Sequence, residues 1–203
     1  MFETLSAHEK AKYSAAKSAT ELINSGMFVG LGTGSTAAWF VKCLGEMITN
    51  NKLDITAVAT SESTKRLAEE NGILVKELNE AGWLDITVDG ADEFDSNFQL
   101  IKGGGGALLR EKIVANASHK MIVIADHSKE VPHLGSFPLP VEVVKFGHSV
   151  TLQLIGKLIE KLGFEKCKLV VRQDEFGPAE TDEGNFILDL HLNKIHDPHL
   201  LSY

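Results

Sequence analysis

Between residues 27 and 125 short apolar runs recur, and most of them empty into a glycine-rich or polar turn that opens a helix. Met27 to Leu31 runs into Gly32-Thr33-Gly34-Ser35-Thr36, after which Ala37 to Met47 has helical spacing. Ile55 to Ala59 is followed by the polar turn Thr60-Ser61-Glu62-Ser63-Thr64 and a short helix, Lys65 to Asn71, ended by Gly72. Ile73 to Leu78 and Leu84 to Val88 read as two more strands. Phe98 to Ile101 leads to Lys102 and four glycines, then to a helix from about Ala107 to Ala117 and a last strand, Met121 to Ala125. Upstream, Ser6-Ala7-His8-Glu9 reads as a capping box with Leu5 as its staple, and Ala11, Ala15, Ala19, Leu22 and Ile23 keep an apolar stripe until Gly26. Strands with near-continuous apolar faces, alternating with helices, constrain the chain to an α/β fold with a mostly parallel sheet covered on both sides.

The punctuation changes further on. All five prolines lie beyond residue 131, whereas twelve of the eighteen glycines lie before 107. A boundary near 130 follows, giving a Rossmann-like domain at 1–130 and a smaller domain at 131–203. The second part reads as strand (Val141 to Val144), helix (Val150 to Leu162, capped by Gly163), strand (Cys167 to Arg172), turn and strand (Asn185 to Leu192). That order predicts a small α+β, ferredoxin-like unit with antiparallel pairs.

Composition removes several function classes. Twenty basic against twenty-eight acidic residues leave a net charge of −8 with no basic tract, which argues against coating nucleic acid or an anionic membrane. The longest apolar stretches fall far short of the roughly 18 residues of a membrane helix. Met1-Phe2-Glu3-Thr4 carries neither the basic nor the apolar region of a secretory leader. Cys43 and Cys167 make no disulfide framework and no paired metal-ligand spacing, so they read as packed thiols in a reducing compartment. His191, His196 and His199 lack a cysteine or carboxylate partner at ligand spacing and predict no metal site. The expectation is a cytoplasmic protein.

In open parallel sheets ligands sit beyond the carboxyl ends of the strands, and four turns fall at that edge. Gly30-Leu31-Gly32-Thr33-Gly34-Ser35-Thr36 joins a strand to a helix whose free N–H groups suit an anion. A dinucleotide fingerprint would need glycine where Ser35 stands and an acidic residue where Ala59 and Thr60 stand; a P-loop would need a lysine that is missing. A small phosphate and a plain tight turn both remain open. Asp89-Gly90-Ala91-Asp92-Glu93 concentrates three carboxylates, which is costly without partners or chemistry, and does not fit an EF-hand. A solvated acidic turn competes there with an acid/base or hydroxyl-binding site. Lys102-Gly103-Gly104-Gly105-Gly106 spends much backbone entropy and is followed by Glu111 one turn into a helix. A lysine, bare amides and a carboxylate are what an enediolate reaction needs: a base to move the proton and positive charge for the oxyanion. Ala125-Asp126-His127-Ser128-Lys129 is the fourth exit, with Lys129 either a phosphate partner or an ordinary surface lysine.

Taken together, Gly-Leu-Gly-Thr-Gly-Ser-Thr at 30–36, Asp-Gly-Ala-Asp-Glu at 89–93, Lys-Gly-Gly-Gly-Gly-Ala at 102–107 with Arg-Glu-Lys at 110–112, and Ala-Asp-x-Ser-Lys at 125–129 resemble the ribose-5-phosphate isomerase type A family. Phe137 to Val143 and Gly184 to Asp189 resemble its second domain, and the similarity runs from about residue 10 to the end. The resemblance implies an aldose–ketose isomerase, free of metal and cofactor, that interconverts ribose 5-phosphate and ribulose 5-phosphate as a homodimer or higher homo-oligomer. It implies Glu111 as the base shuttling a proton between C1 and C2, its pKa raised by burial and by Asp89 and Asp92. Lys102, with Gly103, Gly104 and Gly105, would steady the enediolate. Asp89, Gly90, Ala91 and Asp92 would hold the sugar hydroxyls and help open the ring. Thr33, Gly34, Ser35 and Thr36 would bind the phosphate with Lys12, and Lys129 would line the site. Family members usually continue past Ile195-His196-Asp197-Pro198 with a helix and further strands, whereas the sequence here stops at Tyr203; either a tail is omitted or the protein is shortened, and only in the second case is an open apolar edge expected. A sugar-phosphate sensor would need no base and usually carries a DNA-binding module ahead of its first strand. An isomerase for hexose or amino-sugar phosphates would differ in pocket size.

Overall fold

A computed structural model of the chain describes residues 5–201; the N-terminal tetrapeptide read for a leader lies outside the described residues, as do Ser202 and Tyr203. The chain divides into two compact units that are interleaved in sequence. The first takes the residues up to Ala91 together with Leu109–Ser128, and the second takes Asp92–Leu108 together with the residues from Lys129 onward. This differs from a single boundary near 130. Residues 92–108 go with the second unit because Ile101, 1% exposed, is buried in the same core cluster as Leu134, Val143, Leu188 and Leu190.

The elements follow in chain order. The first unit begins with α1 (Ala7–Thr20), β1 (Phe28–Leu31), α2 (Ser35–Thr49) and β2 (Thr56–Ala59). Then come α3 (Glu62–Glu70), β3 (Leu74–Val75), α4 (Leu78–Ala81) and β4 (Ile86–Asp89). In the second unit β5 (Glu93–Phe94) and β6 (Leu100–Ile101) form an antiparallel hairpin. The first unit is completed by α5 (Leu108–Asn116) and β7 (Met121–Val123). Its five strands are all parallel, in the order β3-β2-β1-β4-β7. The winding reverses at β1, which lies between β2 and β4, and the crevice outside the carboxyl ends of β1 and β4 is where such a sheet binds ligands. Val29, Leu31, Phe40, Leu44, Ala57 and Val88 make the core, as continuous apolar strands buried on both faces require.

Local chemistry moved several boundaries. Ser6 caps α1 by accepting from Glu9 N at 3.2 Å, yet the Glu9 carboxylate turns to Lys12 and Trp39, so only half a capping box forms. The helix ends at Thr20, not near Gly26. The Thr20 hydroxyl donates to Lys17 O at 2.7 Å and the next N–H groups reach back only three residues, so the apolar stripe outlasts the helix. Gly34, with φ +114°, caps α2, which starts at Ser35. Helix α3 starts at Glu62, three residues ahead of the expected Lys65, because Ser61 Oγ accepts from Thr64 N at 3.0 Å. Strand β3 has only two residues, and Leu78 begins α4 instead of ending a strand.

The second unit continues with β8 (Leu139–Val143), α6 (His148–Lys161), β9 (Lys168–Val171), the short hairpin β10 (Gln173–Asp174) and β11 (Gly177–Pro178), β12 (Phe186–His191) and α7 (Pro198–Leu201). Its sheet is antiparallel in the order β8-β12-β9, so the last strand lies between the first two, the ferredoxin-like arrangement of a strand, helix, strand, strand unit. Pro140 sits in β8, an outer strand, where a missing N–H is tolerated. Burial raises the thiol pKa of both Cys43 and Cys167, and both cysteines are free. Among the described residues no helix is long and apolar enough to cross a membrane.

Candidate active site

In the first unit the turn after β1 and the end of β4 are locked together. Asp89, 1% exposed, receives Thr33 N at 3.2 Å and Gly90 N at 2.7 Å on Oδ1. Gly32 N donates to Val88 O at 2.9 Å, and a Cβ on Gly32 would stand 2.1 Å from Asp89 Oδ1 and 2.5 Å from its Cα. Only a glycine lets the turn approach the carboxylate this closely. Beyond it Gly34 and Ser35 are exposed at the start of α2, where the first N–H groups have no intrahelical partner.

The Thr33 hydroxyl points into a cluster of hydroxyls. Its Oγ1 lies 2.7 Å from Thr60 Oγ1, 2.8 Å from Ser61 Oγ and 3.2 Å from Thr64 Oγ1. Thr60 donates its N–H to Leu31 O at 3.0 Å and Thr64 its hydroxyl to Gly32 O at 3.1 Å, so both carbonyls of the turn are tied down. Thr60, Ser61 and Thr64 were readable only as a polar turn. The signal that marks them is a run of hydroxyl residues at the carboxyl end of the neighbouring parallel strand.

Glu111, 4% exposed, lies in the first turn of α5 and shares its buried face with Val114. Two residues past the end of that helix Ser118 pairs with Leu84 and its hydroxyl lies 2.6 Å from Thr87 Oγ1, while Val114 packs where a Cβ on Gly30 would fall. Moving from Ser118 to Val114 follows the strands towards their carboxyl ends, and Glu111 is one turn further on. Lys12 is buried on α1 with its Nζ 2.8 Å from Glu9 Oε1, and the other Glu9 oxygen takes Trp39 Nε1 at 2.7 Å. The Lys12 hydrogen bond, followed by that of Trp39, holds the Glu9 carboxyl below its ordinary pKa. Asp126 is buried, accepts from Ser128 N at 2.9 Å and lies 3.6 Å from His8 Nδ1.

In the second unit the glycine run closes over Asp92. Its N–H donates to Ile101 O at 2.8 Å, and its Oδ2 accepts from Gly104 N at 2.7 Å. Gly103 and Gly106 have φ of +105° and +77°, and a Cβ on Gly104 would lie 2.4 Å from Asp92 Oδ1. Lys102 and Lys129 are half-buried, the latter in a single 3-10 turn over His127–Lys129. Glu93, the third carboxylate of the acidic turn, is structural: its oxygens accept from Gly135 N at 2.7 Å and Phe137 N at 2.5 Å. Arg172, unmarked in the sequence, donates from Nη1 to Gly103 O and Gly104 O at 3.0 Å each. It is itself held by Asp189, with Nε–Oδ2 at 2.9 Å and Nη2–Oδ1 at 2.6 Å.

A Rossmann-like sheet whose switch point carries a glycine turn locked to a buried carboxylate defines an α/β protein built to hold a small ligand at its strand ends. The family model for ribose 5-phosphate isomerase A (phosphoriboisomerase A) matches residues 56–202. Ribose-5-phosphate isomerase A of Ruegeria sp. (strain TM1040) is 56% identical over 198 residues, covering 98% of this chain and 76% of the relative. The solved structure of ribose 5-phosphate isomerase from Plasmodium falciparum superposes with a TM-score of 0.88 at 33% identity, covering 96% of this chain and 83% of that one. That of ribose 5-phosphate isomerase A from Methanocaldococcus jannaschii gives 0.86 at 38% identity, with 96% and 84% covered. The chain belongs to the ribose-5-phosphate isomerase A family.

Proposed function

We propose that Glu111, Lys102, Asp89 and Asp92 carry out the reaction of this family, with the turn at 33–36 holding the substrate's phosphate. The chain is a ribose-5-phosphate isomerase, an aldose–ketose isomerase of the pentose phosphate pathway that interconverts ribose 5-phosphate and ribulose 5-phosphate. Asp89 and Asp92 hold the sugar hydroxyls, alongside Gly90 and Ala91, and assist ring opening. The Glu111 carboxylate then takes the C2 proton of the open aldehyde. The C–H pair becomes the C1–C2 double bond, and the carbonyl pair moves onto O1 as an enediolate. Lys102 and the amides of Gly103 and Gly105 bear that charge, Gly104 lining the loop with its own N–H on Asp92. The proton returns to C1 while the O2 hydroxyl gives up its proton, C2 becomes the carbonyl, and O1 is protonated. Gly34, Ser35 and Thr36 grip the phosphate at the start of α2 with Lys12 close by, and Lys129 lines the site.

The observation that carries this reading is the near-complete burial of Glu111 on the sheet-facing side of α5, towards the carboxyl edge where the turn after β1 opens. A buried glutamate in a first helical turn is expensive to keep, and acid/base chemistry is a reason to keep one. Replacing Glu111 with Gln is expected to lower kcat at least about 10²-fold with folding intact, the scale of losing an acid/base group. Isomerase activity at the wild-type level in that variant removes Glu111 from the mechanism. A coupled assay of ribose 5-phosphate against six-carbon analogues, run with a strong chelator, tests substrate size and metal independence together. The same reading places the enzyme in the cytoplasm as a homodimer or higher homo-oligomer, which sedimentation of the full chain measures.

A further inference from the structure

The guanidinium of Arg172 has one job in the second unit that the reaction scheme leaves unused. Its Nη1 reaches two successive glycine carbonyls, Gly103 O and Gly104 O, at 3.0 Å each, while Nε and Nη2 are taken up bidentately by Asp189. A guanidinium is planar and its donors stand in a fixed fork, so holding one edge on a carboxylate fixes where the other edge points. A peptide group is planar too, and no peptide bond among the described residues is cis. In a trans peptide the C=O and the following N–H point in opposite directions. Fixing Gly103 O on Arg172 therefore turns Gly104 N–H the other way, where it meets Asp92 Oδ2 at 2.7 Å. Fixing Gly104 O on the same nitrogen turns Gly105 N–H away from Arg172, and Gly105 is the exposed member of the run while Gly103 is buried. Glycines have the widest choice of backbone conformation of any residue, so four in a row would not hold an amide in place unaided. The positive charge behind the two carbonyls also polarises both peptide groups and strengthens their N–H donors.

We propose that Arg172, held by Asp189, is a positioning residue that aims the Gly105 amide at the oxygen on which charge develops. The inference rests on the reading that the Gly105 amide is among the donors that bear the enediolate, and the experiment separates the two. Arg172→Lys keeps the charge but cannot bridge the carboxylate and both carbonyls together. Its kcat is expected to fall about ten- to a hundred-fold, below the loss on deleting an oxyanion donor outright, with KM for ribose 5-phosphate within about two-fold of wild type. Asp189→Asn leaves Arg172 in place but loosens its hold and is expected to lower kcat in the same direction by about three- to ten-fold. Both are normalised to the folded fraction from circular dichroism, so a merely structural role leaves kcat per folded enzyme unchanged. If Arg172→Lys does not fold, the kcat of Asp189→Asn decides. Wild-type kcat in the folded variants overturns the proposal, and so does a rise in KM at constant kcat. Run in parallel, Glu111→Gln tells which idea has failed. An inactive Glu111→Gln beside fully active Arg172 and Asp189 variants discards the clamp and leaves the mechanism standing. A fully active Glu111→Gln discards the mechanism and the clamp with it.

Discussion

The turn after β1 is held by the Asp89 carboxylate and a cluster of neutral hydroxyls, whereas the glycine run after β6 is backed by an ion pair. Around Gly32–Thr36 the tethers are Thr33, Thr60, Ser61 and Thr64, whose oxygens lie 2.7–3.2 Å from the Thr33 hydroxyl. Around Gly103–Gly106 the tether is Arg172 with Asp189. The difference matches what we propose each loop binds. A phosphate arrives already charged, so its loop needs a fixed shape, which the hydroxyls around Thr33 help to give. An enediolate acquires its charge only during the reaction, so its loop gains from donors polarised in advance by a cation behind them. Hydroxyl tethers are therefore expected to govern KM, and the guanidinium tether kcat.

The sharpest way to break this contrast is to add one methyl group to each loop. At Gly32 a Cβ meets the Asp89 backbone as well as its carboxylate, whereas at Gly104 the nearest atoms belong to the side chains of Asp92 and Phe137, which can move. Gly32→Ala is expected to destabilise the chain by about 3 kcal/mol and abolish activity, and Gly104→Ala to cost about 1 kcal/mol less. Thermal unfolding of the two variants checks the order, and equal losses would show the loops to be equally rigid. Next in size, Thr60→Val removes one tether at nearly constant volume while Thr60 N still reaches Leu31 O. KM for ribose 5-phosphate should rise about five- to ten-fold with kcat within about two-fold, the scale of one lost hydrogen bond, and Thr60→Ser should restore it. A fall in kcat at constant KM would erase the distinction between the tethers.

The smallest effect concerns acid. Lys12 and then Trp39 hold the Glu9 carboxyl below its ordinary value in the folded chain. A depressed folded pKa means that the stabilisation from the pair is fully present above the unfolded glutamate pKa and fades as pH falls through the folded one. The Glu9 side-chain carbon resonance should therefore titrate at lower pH than a free glutamate. A midpoint at the ordinary value would show that Lys12 and Trp39 do not hold the carboxylate in solution.

What the sequence made legible was whatever depends on neighbours in the chain. Met27 to Leu31 was visible as a strand because burial on both faces writes an unbroken apolar run. The glycine turns announced themselves because a bare backbone at a strand end has few other uses. Ser61 as a helix cap was hidden among hydroxyl residues that serve turns equally well. Thr20 ended α1 with no glycine or proline to mark the stop. Arg172 gave no local sign at all, since its targets, Gly103 and Gly104, are reached only by folding. Glu93 looked like a third acid of the site and proved to be a bracket for two backbone amides, since a carboxylate in isolation does not announce what will donate to it. Residues 92–108 were assigned to the first domain because the chain was cut where its composition changed, not where Ile101 found its packing partners.

The interleaving of the two units bears on how the polypeptide is made. On a ribosome, the first ninety-odd residues emerge with their sheet still lacking β7, and they must wait through the hairpin of β5 and β6 before that strand appears. That hairpin must wait in turn for the strands that bury Ile101. The second unit cannot be finished until the strands beyond residue 130 are made, and a gene cut at the compositional seam would leave residues 92–108, with Ile101, on the first fragment and away from the core they help to fill.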